Sequence, residues 1–100
     1  MPDFKILDDA ALSDAMAGLP DWRVEGNQIA AEFTFKNFKQ AFAFITQVAI
    51  ESEVMNHHPE WSNVYNRVSF AFSTHDAGDL ITNLDTRMAR IISDIAAQYQ

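Results

Sequence analysis

One hundred residues suffice for one domain with its own core, and an apolar content of 48% with eight phenylalanines argues against disorder. Fourteen acidic against seven basic residues leave a formal charge of −7 with no Lys/Arg cluster, a poor basis for binding nucleic acid. The absence of cysteine excludes disulfides, thiolate metal sites and a thiol nucleophile.

The first residues, "MPDFKILDDAALSD", hold neither a basic segment nor a long apolar run, so no signal peptide is expected. No stretch approaches the ~20 apolar residues of a membrane span. The expectation is a soluble, cytoplasmic protein. With no linker, repeat or low-complexity segment, one domain is expected over residues 1–100.

"DDAALSDAMAGLP" predicts a short helix, capped by Asp8 or Asp9 and ended by Gly18 and Pro20. "WRVE" and "QIAAEFTF" flank Gly26-Asn27, a two-residue hairpin turn. In the second strand Ile29, Ala31, Phe33 and Phe35 alternate with Gln28, Ala30, Glu32 and Thr34, giving one apolar face and one more open. "NFKQAFAFITQVAIESEV" predicts a helix with Asn37 as N-cap and Gln40 completing a capping-box pattern. Its expected apolar stripe is Phe38, Phe42, Ile45 and Val48 or Ala49; Phe44 and Ile50 fall outside it, so a second face is partly apolar.

After "HHP", a short strand "EWSNVY", a turn near Asn66 and a strand "VSFAFSTH" follow. Val68, Phe70 and Phe72 share one face of that strand, and Ser69, Ala71, Ser73 and His75 the other. "TNLDTRMARIISDIAAQY" is an amphipathic helix on Leu84, Met88, Ile91, Ile92, Ile95 and Tyr99. The order α-β-β-α-β-β-α implies an α+β fold: a four-stranded antiparallel sheet with helices packed on one face. The other face is expected to be small and semi-polar, and it or an edge strand could serve self-association.

The chain's histidines stand at His57-His58, in "EVMNHHP", and at His75, in "FSTHDAGD". Adjacent histidines point apart, and the spacing is not HExxH; zinc would need Glu53 or His75 as a further ligand, so no metal site is expected. Proton transfer suits imidazole better, because it titrates near neutral pH. His58 precedes Pro59 and is biased toward extended backbone, which makes "HHP" a stiff segment just past a helix end. Glu53 could orient one ring, and His75 could face the pair across a cleft. A purely structural alternative stands beside this. Such histidines can be solvated, Pro59 can serve only to end the helix, Asp85 can be a capping-box acid after Thr82, and Trp61 and Tyr65 can be core aromatics.

Together these residues resemble the pterin-4a-carbinolamine dehydratase family. The pattern is an acidic residue, three positions, His-His-Pro, five positions, an aromatic, nine positions, a histidine, then an aspartate about ten further on. Glu53, His57-His58-Pro59, Tyr65, His75 and Asp85 fill every element. The runs "HHPEWSNVYNRV" and "STHDAGDLITNLD" carry it, and it extends through "DWRVEGNQIAAEFTFKNFKQAFAFI" and the final helix. The first fifteen or so residues are less diagnostic. The resemblance implies the same α+β fold, dimers joined at sheet edges, and in some members tetramers joined through helices. It implies dehydration of 4a-hydroxytetrahydropterin to quinonoid dihydropterin, recycling the cofactor of aromatic amino acid hydroxylases, with no metal or organic cofactor.

By the same resemblance His57, His58 and His75 are the catalytic residues. The expectation is that His58 and His75 carry most proton transfer, while His57 binds the pterin and assists. Glu53 and Asp85 would orient the histidines or polarise the site, Trp61 would present an apolar wall to the flat ring, backbone groups near Ser73 and Thr74 would bind the pterin edge, and Pro59 is expected among the substrate-binding residues with them. Asn56 and Leu84 depart from residues found in some relatives, which touches only contacts to the substrate's periphery. Some members also bind a homeodomain transcription factor through helices, and a helix over 38–54 with two apolar faces would suit either that partner or self-assembly.

Overall fold

A computed structural model of the chain describes residues 3–100. Four strands form one sheet, β1 (Arg23–Glu25), β2 (Gln28–Thr34), β3 (Trp61–Val64) and β4 (Arg67–Phe72), in the order β1-β2-β4-β3. Every neighbouring pair is antiparallel. Three helices, α1 (Asp9–Ala17), α2 (Phe38–Met55) and α3 (Asn83–Ala97), complete the order α-β-β-α-β-β-α.

The turns follow from local chemistry. Glu25 pairs with Gln28, so Gly26-Asn27 is the whole hairpin turn, and Gly26 takes φ 59°. Asp8 caps α1 by accepting a hydrogen bond from the Ala11 N–H at 2.8 Å. Thr82 caps α3 in a full capping box, with Asp85 reaching back to the Thr82 N–H.

The register of the central strands places the core. Ile29 lies opposite Phe72, Ala31 opposite Phe70 and Phe33 opposite Val68. Opposed residues share a face, so this period-two pattern makes one continuous apolar surface. All six are buried, packed with Ala41, Phe44 and Val48 of α2 and Met88, Ala89 and Ile92 of α3. Trp22 is the tryptophan of the core, edge-on to Phe33 and Phe72, and its indole N–H donates to Ser93 Oγ at 2.9 Å. Trp61 and Tyr65, by contrast, lie exposed on and beside the edge strand β3.

Two expectations for α2 need correction. Its buried face is Ala41, Phe44, Ile45, Val48 and Ser52, whereas Phe38 and Phe42 are exposed. Apolar residues lie nearly all round this helix, so spacing alone admits both stripes. Packing selects Phe44, whose ring sits 4.7 Å from that of Phe35 and 5.7 Å from that of Phe33. Asn37 does cap the helix, but the Gln40 side chain accepts from the Lys36 N–H, one residue outside a capping box. The open sheet face is also more charged than expected: Arg23, Glu25, Glu32 and Glu60 line it with Ala30, Ser69 and Ala71. Among the described residues, no helix is long and apolar enough to cross a membrane.

Candidate active site

The histidine pair is positioned by the end of α2. Asn56 takes left-handed backbone, φ 53° and ψ 43°, and so stops the helix. Its N–H returns to Glu53 O at 3.2 Å, and the His57 N–H to Ser52 O at 3.1 Å. The helix thus ends at Met55, four residues before Pro59; the proline is buried in the irregular segment that leads to β3 and does not terminate the helix. The third histidine comes from beyond the end of β4, which the antiparallel register with β3 places at the same end of the sheet. Beyond β4, Thr74 and Leu80 form an isolated bridge that closes a loop, and His75 opens a short 3-10 turn inside it. Gly78 and Asp79, at φ 77° and 61°, turn the chain back.

These two segments meet around one cavity of about 290 Å³, lined by Asn56, His57, His58, Ser73, His75 and Asp76. Each histidine there has its own carboxylate. His57 Nε2 lies 2.7 Å from Asp85 Oδ1, His58 Nε2 2.5 Å from Glu53 Oε2, and His75 Nδ1 3.1 Å from Asp79 Oδ1. The surroundings differ sharply. His57 is 5% exposed and Asp85 wholly buried, whereas His58, Glu53, His75 and Asp79 all face solvent. Surface pairs of the latter kind orient more than they stabilise. One carboxylate per imidazole is an arrangement for holding rings, and among the described residues no three His, Cys, Asp or Glu side chains converge as a metal site.

Behind His57 the polar groups form a closed set. Asp85 Oδ2 accepts from Thr74 Oγ1 at 2.8 Å and from the Thr82 N–H at 2.9 Å. Thr74 Oγ1 and Thr82 Oγ1 are 2.7 Å apart, and Thr82 Oγ1 accepts from the Leu84 N–H at 3.1 Å. Thr74, Thr82 and Asp85 are fully buried. Asp85 thus caps α3 and holds His57 at once: the capping-box alternative and the site reading describe the same side chain. Among the described residues His57 Nδ1 has no protein partner, and no buried side-chain nitrogen or oxygen lacks one, so Nδ1 reaches the cleft.

Glu53 holds His58, and Ser73 lines the cavity. Thr74 has no backbone group to spare for a ligand: its N–H bonds Leu80 O, and its carbonyl accepts from Ala77 and Asp79. It contributes its hydroxyl instead. Trp61 is not brought to the histidines; it lines the groove on the open sheet face with Glu60 and Ser62. Asp76 on the cavity, Asp79 against His75 and Thr82 behind Asp85 are neighbours of the histidines that the sequence reading did not single out. The i, i+4 spacing of His75 and Asp79 around Gly78 was the available signal for the second.

Known proteins resemble this chain over most of its length. The family described as Pterin 4 alpha carbinolamine dehydratase matches residues 5–95. A protein of Prochlorococcus marinus (strain MIT 9215), named "Putative pterin-4-alpha-carbinolamine dehydratase", is 46% identical over 93% of this chain and 96% of its own. One of the same name from Rhizobium leguminosarum is 45% identical over 92% of both. A crystal structure of a transcriptional coactivator/pterin dehydratase from Brucella melitensis superposes with TM-score 0.86 at 39% identity, covering 92% of this chain and 99% of that one.

Proposed function

The chain belongs to the pterin-4a-carbinolamine dehydratase family, and from that membership and the cleft we propose that it dehydrates 4a-hydroxytetrahydropterins. The C4a–O bond breaks, the hydroxyl leaves as water after taking a proton, and N5 loses its hydrogen as the C4a=N5 double bond forms. The product is the quinonoid dihydropterin. Expulsion of hydroxide needs an acid beside oxygen, and formation of the double bond needs a base near N5. The observation that carries the reading is three histidines on one cavity, each paired with a carboxylate.

In this reading His58 and His75, solvent-facing and so able to exchange protons with water, act as acid and base. His57 presents Nδ1 to the cleft as an acceptor for an N–H of the pterin, with Asp85 fixing the ring from behind. Glu53 orients His58, and Ser73 borders the pterin edge. The cellular role is to regenerate the cofactor of aromatic amino acid hydroxylases. The assay is stopped-flow absorbance on 4a-hydroxytetrahydropterin generated by such a hydroxylase. Faster decay that is lost in His58→Ala supports the reading; no acceleration by folded protein overturns it.

A homo-oligomer is part of the same proposal. Phe38, Phe42, Ile50 and Val54 leave an apolar strip on the outer side of α2, and such strips mark contact surfaces. The Brucella relative is described as a transcriptional coactivator as well as a dehydratase, so this strip is also where a helical protein partner would compete. Sedimentation equilibrium separates the two. A stable homotetramer would cover the strip, whereas a monomer or an edge-joined dimer would leave it free.

A further inference from the structure

We propose that Thr74 and Thr82 are positioning residues for the reaction: their hydroxyls form a one-way chain that aims the Asp85 carboxylate at His57. The inference rests on the dehydratase reading for its catalytic consequence, but not for its geometry. Proton counting fixes the direction of every bond. A hydroxyl has one hydrogen to give. Thr74 gives its own to Asp85 Oδ2, so the 2.7 Å contact between the two threonines must run from Thr82 to Thr74. Thr82 Oγ1 then accepts from the Leu84 N–H, which begins the chain at a backbone donor that cannot be reversed.

The chain ends on Asp85 Oδ2, which the Thr82 N–H also meets. Both donors at Oδ2 leave Oδ1 for the ring. A carboxylate oxygen only accepts, so the hydrogen of the His57–Asp85 contact is carried by Nε2 of the ring. The neutral ring therefore keeps its Nδ1 lone pair toward the cleft. A carboxylate held at one oxygen by two fixed donors cannot rotate without leaving a buried donor unpaired, which is costly where water does not enter. All three of Thr74, Thr82 and Asp85 are shut off from solvent, so no water can substitute for a lost hydroxyl without a repacking of the site. This gives the threonines a role that α3 capping does not require, since capping uses Thr82 and Asp85 but not Thr74.

Thr74→Val separates the two roles, because it removes the middle of the chain and leaves the cap of α3 in place. Two readouts are needed on protein carrying 15N-labelled histidine. The first is the His57 Nε2–H resonance, recorded without substrate. The second is kcat/KM for carbinolamine dehydration. The expectation is a sharp, slowly exchanging Nε2–H signal in the parent protein and in Thr74→Ser. In Thr74→Val the signal broadens and moves, and kcat/KM falls about tenfold, as for loss of one hydrogen bond to a charged group. Ile92→Val, a core truncation away from the chain, controls for lost stability and should leave both readouts unchanged.

An unaltered Nε2–H signal in Thr74→Val overturns the proposal. So does an altered signal with parental kcat/KM. If the parent protein itself turns over no carbinolamine, the dehydratase reading fails, and the spectra still decide whether the hydroxyl chain holds the ring.

Discussion

Replacing Asp85 by Asn tests the centre of the site with almost no change of shape. The carboxylate accepts three hydrogen bonds: from His57 at 2.7 Å, Thr74 at 2.8 Å and the Thr82 N–H at 2.9 Å. An amide can accept at only one of its two ends. The Thr82 N–H is a backbone donor, so the amide oxygen must stay there, and the NH₂ group must face His57. Donor would then meet donor unless the ring moves its own proton to Nδ1, which turns the acceptor at the cleft into a donor. Each bond also loses its charge assistance, about 1 kcal/mol apiece, and cheaper burial of a neutral group offsets part of that. The net loss expected is about 2 kcal/mol, or roughly 8–16 °C in Tm for a chain of this size. Catalysis should fall further than stability, by roughly 10²-fold in kcat/KM, because the wrong tautomer faces the substrate. Thermal unfolding by circular dichroism and the stopped-flow assay measure the two losses on the same sample. Parental kcat/KM in a folded Asp85→Asn protein would refute the tautomer argument.

Single His→Ala changes at positions 57, 58 and 75 should each lower kcat/KM, within roughly 10- to 10⁴-fold, and three variants at parental rate would sink the catalytic assignment. Their stabilities should diverge: His57→Ala leaves Oδ1 of the buried Asp85 carboxylate without its donor and should cost about 3 kcal/mol in urea unfolding, whereas the exposed His58 and His75 can be truncated with little change. Asn56→Ala forces a β-carbon without a polar group into left-handed backbone and should cost about 1–2 kcal/mol, while Asn56→Gly should melt close to the parent; equal melting of all three would deny the helix cap. Phe44→Ala should cost about 3–5 kcal/mol and Phe42→Ala under about 1 kcal/mol in the monomer; the reverse order would mean that α2 packs by its other face.

How much of this was written in the chain depends on the range of the interaction. The strands, both hairpin turns and the caps at Asp8, Asn37 and Thr82 are short-range matters, settled by period-two alternation and by side chains bonding backbone within a few residues. They were legible, as was the α-β-β-α-β-β-α order and the family resemblance in the spaced histidines. The facing of α2 was not, because a helix apolar on two sides satisfies its own periodicity either way, and only contact with Phe33 and Phe35 decides between them.

The site shows the same division. Sequence identified His57, His58, His75, Glu53 and Asp85 as a set, but could not say which acid serves which ring. That pairing is made by elements far apart in the chain: the end of α2 delivers His57 and the start of α3 delivers Asp85, twenty-eight positions away. Nor could it foresee that Thr74 would spend its backbone on a turn and its hydroxyl on Asp85, or that Trp61 would lie on the open sheet face away from the histidines. Residue types and their spacing determined what chemistry was available. Burial decided how it is held, because only in the folded chain, with water excluded, must every donor behind His57 find an acceptor, and that requirement fixes the direction in which the ring presents its lone pair.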